Sequence, residues 1–180
     1  MELEHNFDNI DYLKDGNEKQ KRVYNLLTKC RILETLWEFD PILVGTIPIN
    51  IDIESSDLDI ICYCKDKAYF KKFLEEKFAG VEGFKMWENT ELSTQDTVAN
   101  FVIDGFEIEI FGQNIPSKQQ NAYRHMIIEN KLIKEEGEGF RQRIIALKQK
   151  GYKTEPAFGI ELGLVGDSYK ALLELGTKID

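Results

Sequence analysis

Between Thr97 and Phe111 two apolar-rich runs, TVANFVI and FEIEIF, flank the pair Asp104 and Gly105. That dipeptide suits a two-residue hairpin loop, in which both turn residues take positive φ. If these two form the loop, the pairing follows: Ile103 faces Phe106, Val102 faces Glu107, and Asn100 faces Glu109. A slip of one residue would turn every apolar side chain to the wrong face. The hairpin therefore anchors a sheet whose other strands lie elsewhere in the chain.

Val23, Leu26, Leu27, Cys30, Leu33, Leu36 and Trp37 recur every three or four positions, which predicts one helix over 17–38 with a single buried stripe, stopped by Pro41. Ile42, Leu43 and Val44 suit a short buried strand that opens into a loop at Gly45 and Thr46. The run DLDIICYC from Asp57 to Cys64 reads as a second strand, with Asp57 and Asp59 on one face and Leu58, Ile60 and Cys62 on the other. A helix is expected over 66–79, with Phe70, Phe73 and Phe78 as core. Ser117 and Gln120, at capping-box spacing after Pro116, predict a helix from 117 to about 133, broken by Gly137 and Gly139. Further helices are expected over 140–150 and 168–175, the last capped by Asp167. The expected organisation is an α/β (α+β) core over 1–116 with a mixed sheet and packed helices, followed by a C-terminal helical segment over 117–180.

Composition narrows the function classes. The 180 residues, 42% of them hydrophobic, can bury a core of their own. A net charge of −9 repels polyanions at long range and disfavours nucleic acid or an anionic membrane as partner. No apolar stretch approaches the roughly 18 residues of a membrane span, and no leader pattern opens the chain, so a cytoplasmic location is expected. Three cysteines, with Cys62 and Cys64 two apart on one strand, read as reduced, buried thiols. His5 and His125 are the two histidines, too few for a zinc site built with those thiols.

The acids on the strands carry the chemistry. Carboxylates at i and i+2 of a strand point the same way, and a third from a neighbouring strand lets them hold one or two Mg²⁺ (or Mn²⁺) through hard oxygen ligands. Such ions clamp the attacking and leaving oxygens of a phosphoryl transfer, and a chain this acidic needs them to hold a nucleoside triphosphate. Gly45 would let the backbone approach the phosphates, and Thr46 offers a hydroxyl. The third acid is Glu107 or Glu109, which share a face; Glu109 is favoured because its neighbour Asn100 is polar, whereas Glu107 faces Val102.

The stretch GTIPINIDIESSDLDI resembles the nucleotidyltransferase superfamily of DNA polymerase β type: a hydrophobic strand ending in Gly-Ser or Gly-Gly, then Asp-x-Asp on the next strand, then a later acid. The first Asp follows Gly45 by twelve residues, a spacing common in smaller bacterial members. Motif coverage runs from about residue 25 to 111. Downstream, QQNAYRHMIIE to LGLVGDSYKALLEL resembles an uncharacterised bacterial family labelled only as a domain of unknown function. Three departures stand out: Thr46 for Ser, Asn50 where many relatives have a second Gly, and the ambiguous third acid. Residues 49–53 also alternate like a strand, which would stiffen the phosphate loop.

The resemblance implies transfer of a nucleoside monophosphate from NTP to a hydroxyl of a small-molecule or protein acceptor, with Asp57, Asp59 and Glu109 as catalytic metal ligands. The alternative it leaves open is a catalytically silent nucleotide- or protein-binding module, antitoxin-like. Gly45, Thr46, Lys65 and Arg124 are the candidate phosphate-binding residues. Arg124 and its neighbour His125 are candidates for phosphate or for an acceptor, and Asp52 and Glu54 read as loop or edge acids, with help to the metal as the alternative.

Overall fold

The computed structural model describes residues 6–89 and 96–179. Among them the chain forms a five-stranded mixed sheet and seven α-helices, the α/β architecture that the sequence predicts. They divide into two compact units. The first takes the described residues up to Val44 together with Asp57–Gln120, and the second takes Gly45–Ser56 and the residues from Asn121 onward.

In the first unit the strands are β1 (Ile42–Val44), β2 (Leu58–Tyr63), β3 (Lys85–Asn89), β4 (Asp96–Ile103) and β5 (Phe106–Gln113), in the spatial order β1-β2-β5-β4-β3. β2 and β5 run parallel, and the other pairs are antiparallel. The hairpin forms in the expected register, Ile103 opposite Phe106, Val102 opposite Glu107 and Asn100 opposite Glu109. Asp104 and Gly105 take φ of 50° and 79°, the two positive values that a type I′ turn needs.

One face of the sheet is apolar: Leu58, Ile60, Phe101, Ile108 and Ile110 are essentially inaccessible. Helix α3 (Lys67–Phe78) covers it, with Phe78 stacked on Phe101 at 4.9 Å between ring centres. Helix α1 (Glu18–Lys29) adds Arg22, whose guanidinium lies 5.1 Å from the Phe106 ring centre. Gly112 on β5 makes the close approach possible, because a Cβ there would run into the Phe70 ring. Phe70 is completely buried and cannot withdraw. Gly112→Ala is therefore expected to cost about 1–3 kcal/mol through overpacking, read from urea unfolding; unchanged stability would mean that α3 is free to slide on the sheet.

Several expectations need correction. The helix over 17–38 is three pieces: α1 ends at Lys29, Arg31 turns left-handed at φ 53°, and α2 (Ile32–Thr35) and a 3-10 turn (Trp37–Phe39) follow. The reversal at Arg31 rotates the stripe, so Ile32 and Leu36 are buried while Cys30 is exposed and Trp37 is 75% exposed. Cys62 and Cys64 are free, buried thiols; burial pushes both up, Cys64 to about 11. Phe70 and Phe78 are core, and Phe73 is half-buried, edge-on to Phe39. The Ser117–Gln120 capping box does not form. Ser117–Gln119 is a 3-10 turn, the Ser117 hydroxyl donates to Asp40 O at 2.6 Å, and the Gln120 amide donates to Cys62 O and Ile115 O at 2.9 Å each. Both side chains satisfy backbone carbonyls inside the first unit instead of opening a helix. β3 was not expected from the sequence. His5 lies outside the described residues.

The second unit holds α4 (Asn121–Glu136), α5 (Glu138–Gln149), α6 (Thr154–Leu162) and α7 (Ser168–Ile179). α4 packs on α5 and α7, and α6 on the same two. The α4–α5 break falls at Gly137, and Asp167 caps α7 by accepting from Tyr169 N–H at 3.0 Å. α6 was not anticipated. Residues 49–53 are not a strand: the chain turns over 47–50, Asn50 adopts φ 58°, and Ile51 N–H donates to Thr46 O at 3.1 Å. Ile47, Pro48, Ile49 and Ile51 are all buried, so the alternation reflects a turn sunk in apolar surroundings, not a two-faced strand. No helix among the described residues is long and apolar enough to cross a membrane.

Candidate active site

The polar face of the sheet carries the acids. In the parallel pair β2–β5, Asp59 and Glu109 are Cα partners, and Glu109 is also the Cα partner of Asn100 on β4. Partners in a ladder present their side chains to the same face. Asp57 precedes β2 by one residue and Glu107 lies one pleat nearer the hairpin turn. Asp57, Asp59 and Glu109 are half-buried and Glu107 is exposed. Strand burial on the opposite face holds this row outward, because Leu58 and Ile60, Ile108 and Ile110 alternate with the acids.

These carboxylates act on one another. Burial, then the negative charge of Asp57, pushes the Glu109 carboxyl above the usual carboxylate range; a hydrogen bond from Asn100 partly offsets this and Glu107 adds to it. The Asn100 amide nitrogen also stands 3.5 Å from Glu107 Oε1, a marginal hydrogen bond. Glu109 is thus a desolvated acid in a negative field, which a bound cation would relieve. The donors are the hard oxygens that Mg²⁺ prefers, and their register puts two of them side by side. Among the described residues, though, no three His, Cys, Asp or Glu side chains are gathered into a ready metal cage.

Gly45 and Thr46 lie in the second unit. Gly45 has φ 83°, a conformation open to glycine and strained for other residues. The Thr46 hydroxyl donates to Ser56 Oγ at 3.3 Å, and Ile53 N–H donates to the same oxygen at 3.0 Å. Asp52 sits in the field of Arg141, and Glu54 is exposed. Lys65, in the first unit, is exposed with its ammonium 5.2 Å from the centre of the Tyr63 ring. Arg124, in the second, donates to Asn121 Oδ1 at 3.3 Å and lines a cavity of about 160 Å³ with Ile127, Lys131 and Leu173. His125 is buried and donates from Nε2 to Tyr169 O at 2.9 Å, with Nδ1 3.7 Å from Glu155.

A family model described as a domain of unknown function, DUF4269, matches residues 25–175. The chain belongs to that family. No curated protein matches the DUF4269 chain, but solved structures do. The Cid1 poly(U) polymerase bound to Mg 3′-dATP superposes with a TM-score of 0.55 at 15% identity, covering 91% of this chain and 52% of its own. The GLD-2/RNP-8 complex gives a TM-score of 0.51 at 12% identity, over 90% and 57%. A cytoplasmic RNA terminal U-transferase gives 0.51 at 13%, over 77% and 43%. These are nucleotidyltransferase-fold proteins, and the DUF4269 chain shares that fold, spanning about half the length of the structures it matches.

Three polar residues escaped the sequence reading: Arg141 and Lys148 on α5, and Glu129 on α4. Lys148 and Glu129 are buried. The signal was present in their spacing, since Lys148 continues the buried series Phe140 and Ile144, and Glu129 falls between buried Met126 and Leu132. A charged residue at a stripe position is what the pattern should have flagged.

Proposed function

We propose that this DUF4269 protein is a metal-dependent nucleotidyltransferase, with Asp57, Asp59 and Glu109 holding Mg²⁺ and the Gly45–Thr46 loop taking the triphosphate of an NTP. The observation that carries the reading is the placing of Glu109 beside Asp59 in a parallel ladder, on a chain with the nucleotidyltransferase fold. When bound, Mg²⁺ supplies charge neutralisation for the phosphates and for the oxygens that attack and leave. An acceptor hydroxyl oxygen attacks the α-phosphorus, the bond to the bridging oxygen of the β-phosphate breaks, and pyrophosphate departs. One of these three carboxylates receives the acceptor's proton. The acceptor is read as a small molecule or a protein from the net charge of −9, although the solved neighbours are named for RNA and poly(U) synthesis.

A second reading, which the same fold and the same acids would also serve, is a silent nucleotide- or protein-binding module. The two separate in one series of measurements. Thermal shift with each of the four NTPs, with and without Mg²⁺, is expected to show Mg²⁺-dependent stabilisation, and label from an α-labelled NTP should pass to an acceptor. Binding without transfer to small alcohols, protein or RNA supports the silent module, and no stabilisation by any NTP overturns both nucleotide readings. Within the same assay Glu109→Gln is expected to remove the Mg²⁺-dependent shift, and Glu107→Gln to weaken binding by less than about tenfold, roughly 1.4 kcal/mol. The reverse order would make Glu107 the third acid.

A further inference from the structure

Segment 45–56 is gripped from α5 by two cations. Arg141 Nη1 donates to Asn50 O at 2.7 Å, and Lys148 Nζ donates to Ile51 O at 2.8 Å. The donors stand seven residues apart on α5, two helical turns and hence one face, and they take consecutive carbonyls. Ile51 passes the grip on, because its own N–H donates to Thr46 O. A two-bond relay therefore joins the Lys148 ammonium to the peptide of Thr46. Asn50, whose carbonyl Arg141 takes, ends the turn at φ 58°, where a non-glycine residue stays only if its surroundings insist.

The two cations are placed unlike ordinary surface charges. Lys148 is 6% exposed at a stripe position shared with Phe140 and Ile144, where an apolar side chain would pack without desolvating an ammonium. Arg141 is fixed at its other end by Glu138, through Nε to Oε2 at 2.7 Å and Nη2 to Oε1 at 2.5 Å. Asp52, in the gripped segment, lies in its field. A fold that needed only a packed helix would not place two cations on adjacent carbonyls of one loop.

We infer that Lys148 and Arg141 are positioning residues, which set the backbone of the Gly45–Thr46 loop in the geometry with which it takes the triphosphate; this rests on the nucleotidyltransferase reading above. They act through Asn50 and Ile51 and touch no reacting atom. The inference concerns the loop, so the carboxylates' affinity for a metal alone should not respond.

The test uses Lys148→Met and Arg141→Met in the full chain. In each folded variant, hydrogen exchange at the Ile51 amide should rise at least about tenfold without nucleotide, while the amides of Ile60 and Ile110 keep their rates. Mg–NTP affinity should fall at least about tenfold, and Mn²⁺ affinity without nucleotide should stay within about twofold. Unchanged Ile51 exchange overturns the inference, and so does exchange that rises equally at Ile60 and Ile110, which marks general destabilisation. Loosened exchange with undiminished NTP affinity overturns the role in phosphate binding. If Lys148→Met does not fold, Arg141→Met, at a half-buried site, gives the same readings. Wild-type protein that binds no NTP defeats the transferase reading instead, and the Ile51 exchange then still decides whether the two cations order the loop.

Discussion

Asp59→Asn and Asp57→Asn should each abolish Mg²⁺-dependent NTP binding, and Asp57→Asn should leave the melting temperature of the unliganded protein at or above that of wild type. The first half follows from coordination: an amide keeps one neutral oxygen where a shared dication needs charge, and the loss should reach at least about a hundredfold, roughly 2.8 kcal/mol. The second half follows from the sign of the local field. Glu109 is raised by burial and then by Asp57, so its ionisation works against the folded state, and stability is lost as pH rises through its folded range. Removing the charge of Asp57 brings that carboxyl back toward its ordinary value and should not weaken the fold. Titration calorimetry with Mg–NTP, beside melting curves at pH 7, reads both halves. Wild-type affinity in both variants would remove these aspartates from the site, and a large drop in melting temperature would make them structural.

Glu129 should dominate the pH dependence of stability in the helical unit. Its carboxyl is 3% exposed, its Oε1 meets no hydrogen-bond partner, and it is pushed up to about 8 by burial first, then by Glu155, with Lys148 pulling the other way. Groups on three other helices bear on it: Lys148 of α5, Glu155 of α6, and Tyr169 of α7, which Glu129 in turn helps to raise. On α4 itself, His125 faces Glu155. Below about pH 4.5 both folded and unfolded states hold the proton. Between there and about pH 8 the unfolded chain releases it while the folded chain keeps it, so stability falls as pH rises, by roughly 3–5 kcal/mol across the window. Glu129→Gln imitates the protonated acid. Urea unfolding at pH 5 and pH 8 should show the variant close to wild type at the lower value and more stable at the higher. Parallel pH profiles for the two proteins would show that Glu129 ionises freely in the folded state.

What could be read from the chain beforehand depended on where the information lay. The β4–β5 register was legible because Asp104 and Gly105 dictate a turn and the alternating residues dictate faces. The same period put Asp57 and Asp59 opposite Leu58 and Ile60. β3, KMWEN, was not legible, since it is an edge strand whose residues are mostly exposed and whose place is set by β4. α6 carries Pro156 and Gly159, residue types that ordinarily interrupt a helical pattern. Pro156 sits in the first turn, where its missing N–H leaves no helical bond unmade, and Gly159 admits the Ser168 side chain, which a Cβ would strike. In the candidate site, the acids were legible as strand positions, but the grip of Arg141 and Lys148 joins residues 91 and 97 positions apart, beyond any local pattern.

That separation has a consequence for how the protein is made. At about 5 to 20 residues per second of synthesis, Asn50 and Ile51 leave the ribosome on the order of 5 to 20 seconds before Arg141 and Lys148 follow. Through that interval Ile47, Ile49 and Ile51, all buried in the finished protein, belong to a loop whose α5 donors do not yet exist. The 45–56 loop is translated well before the helix that grips it, so a chain stalled before α5 would carry its acids together with an apolar, unanchored loop, the kind of nascent species that chaperones hold.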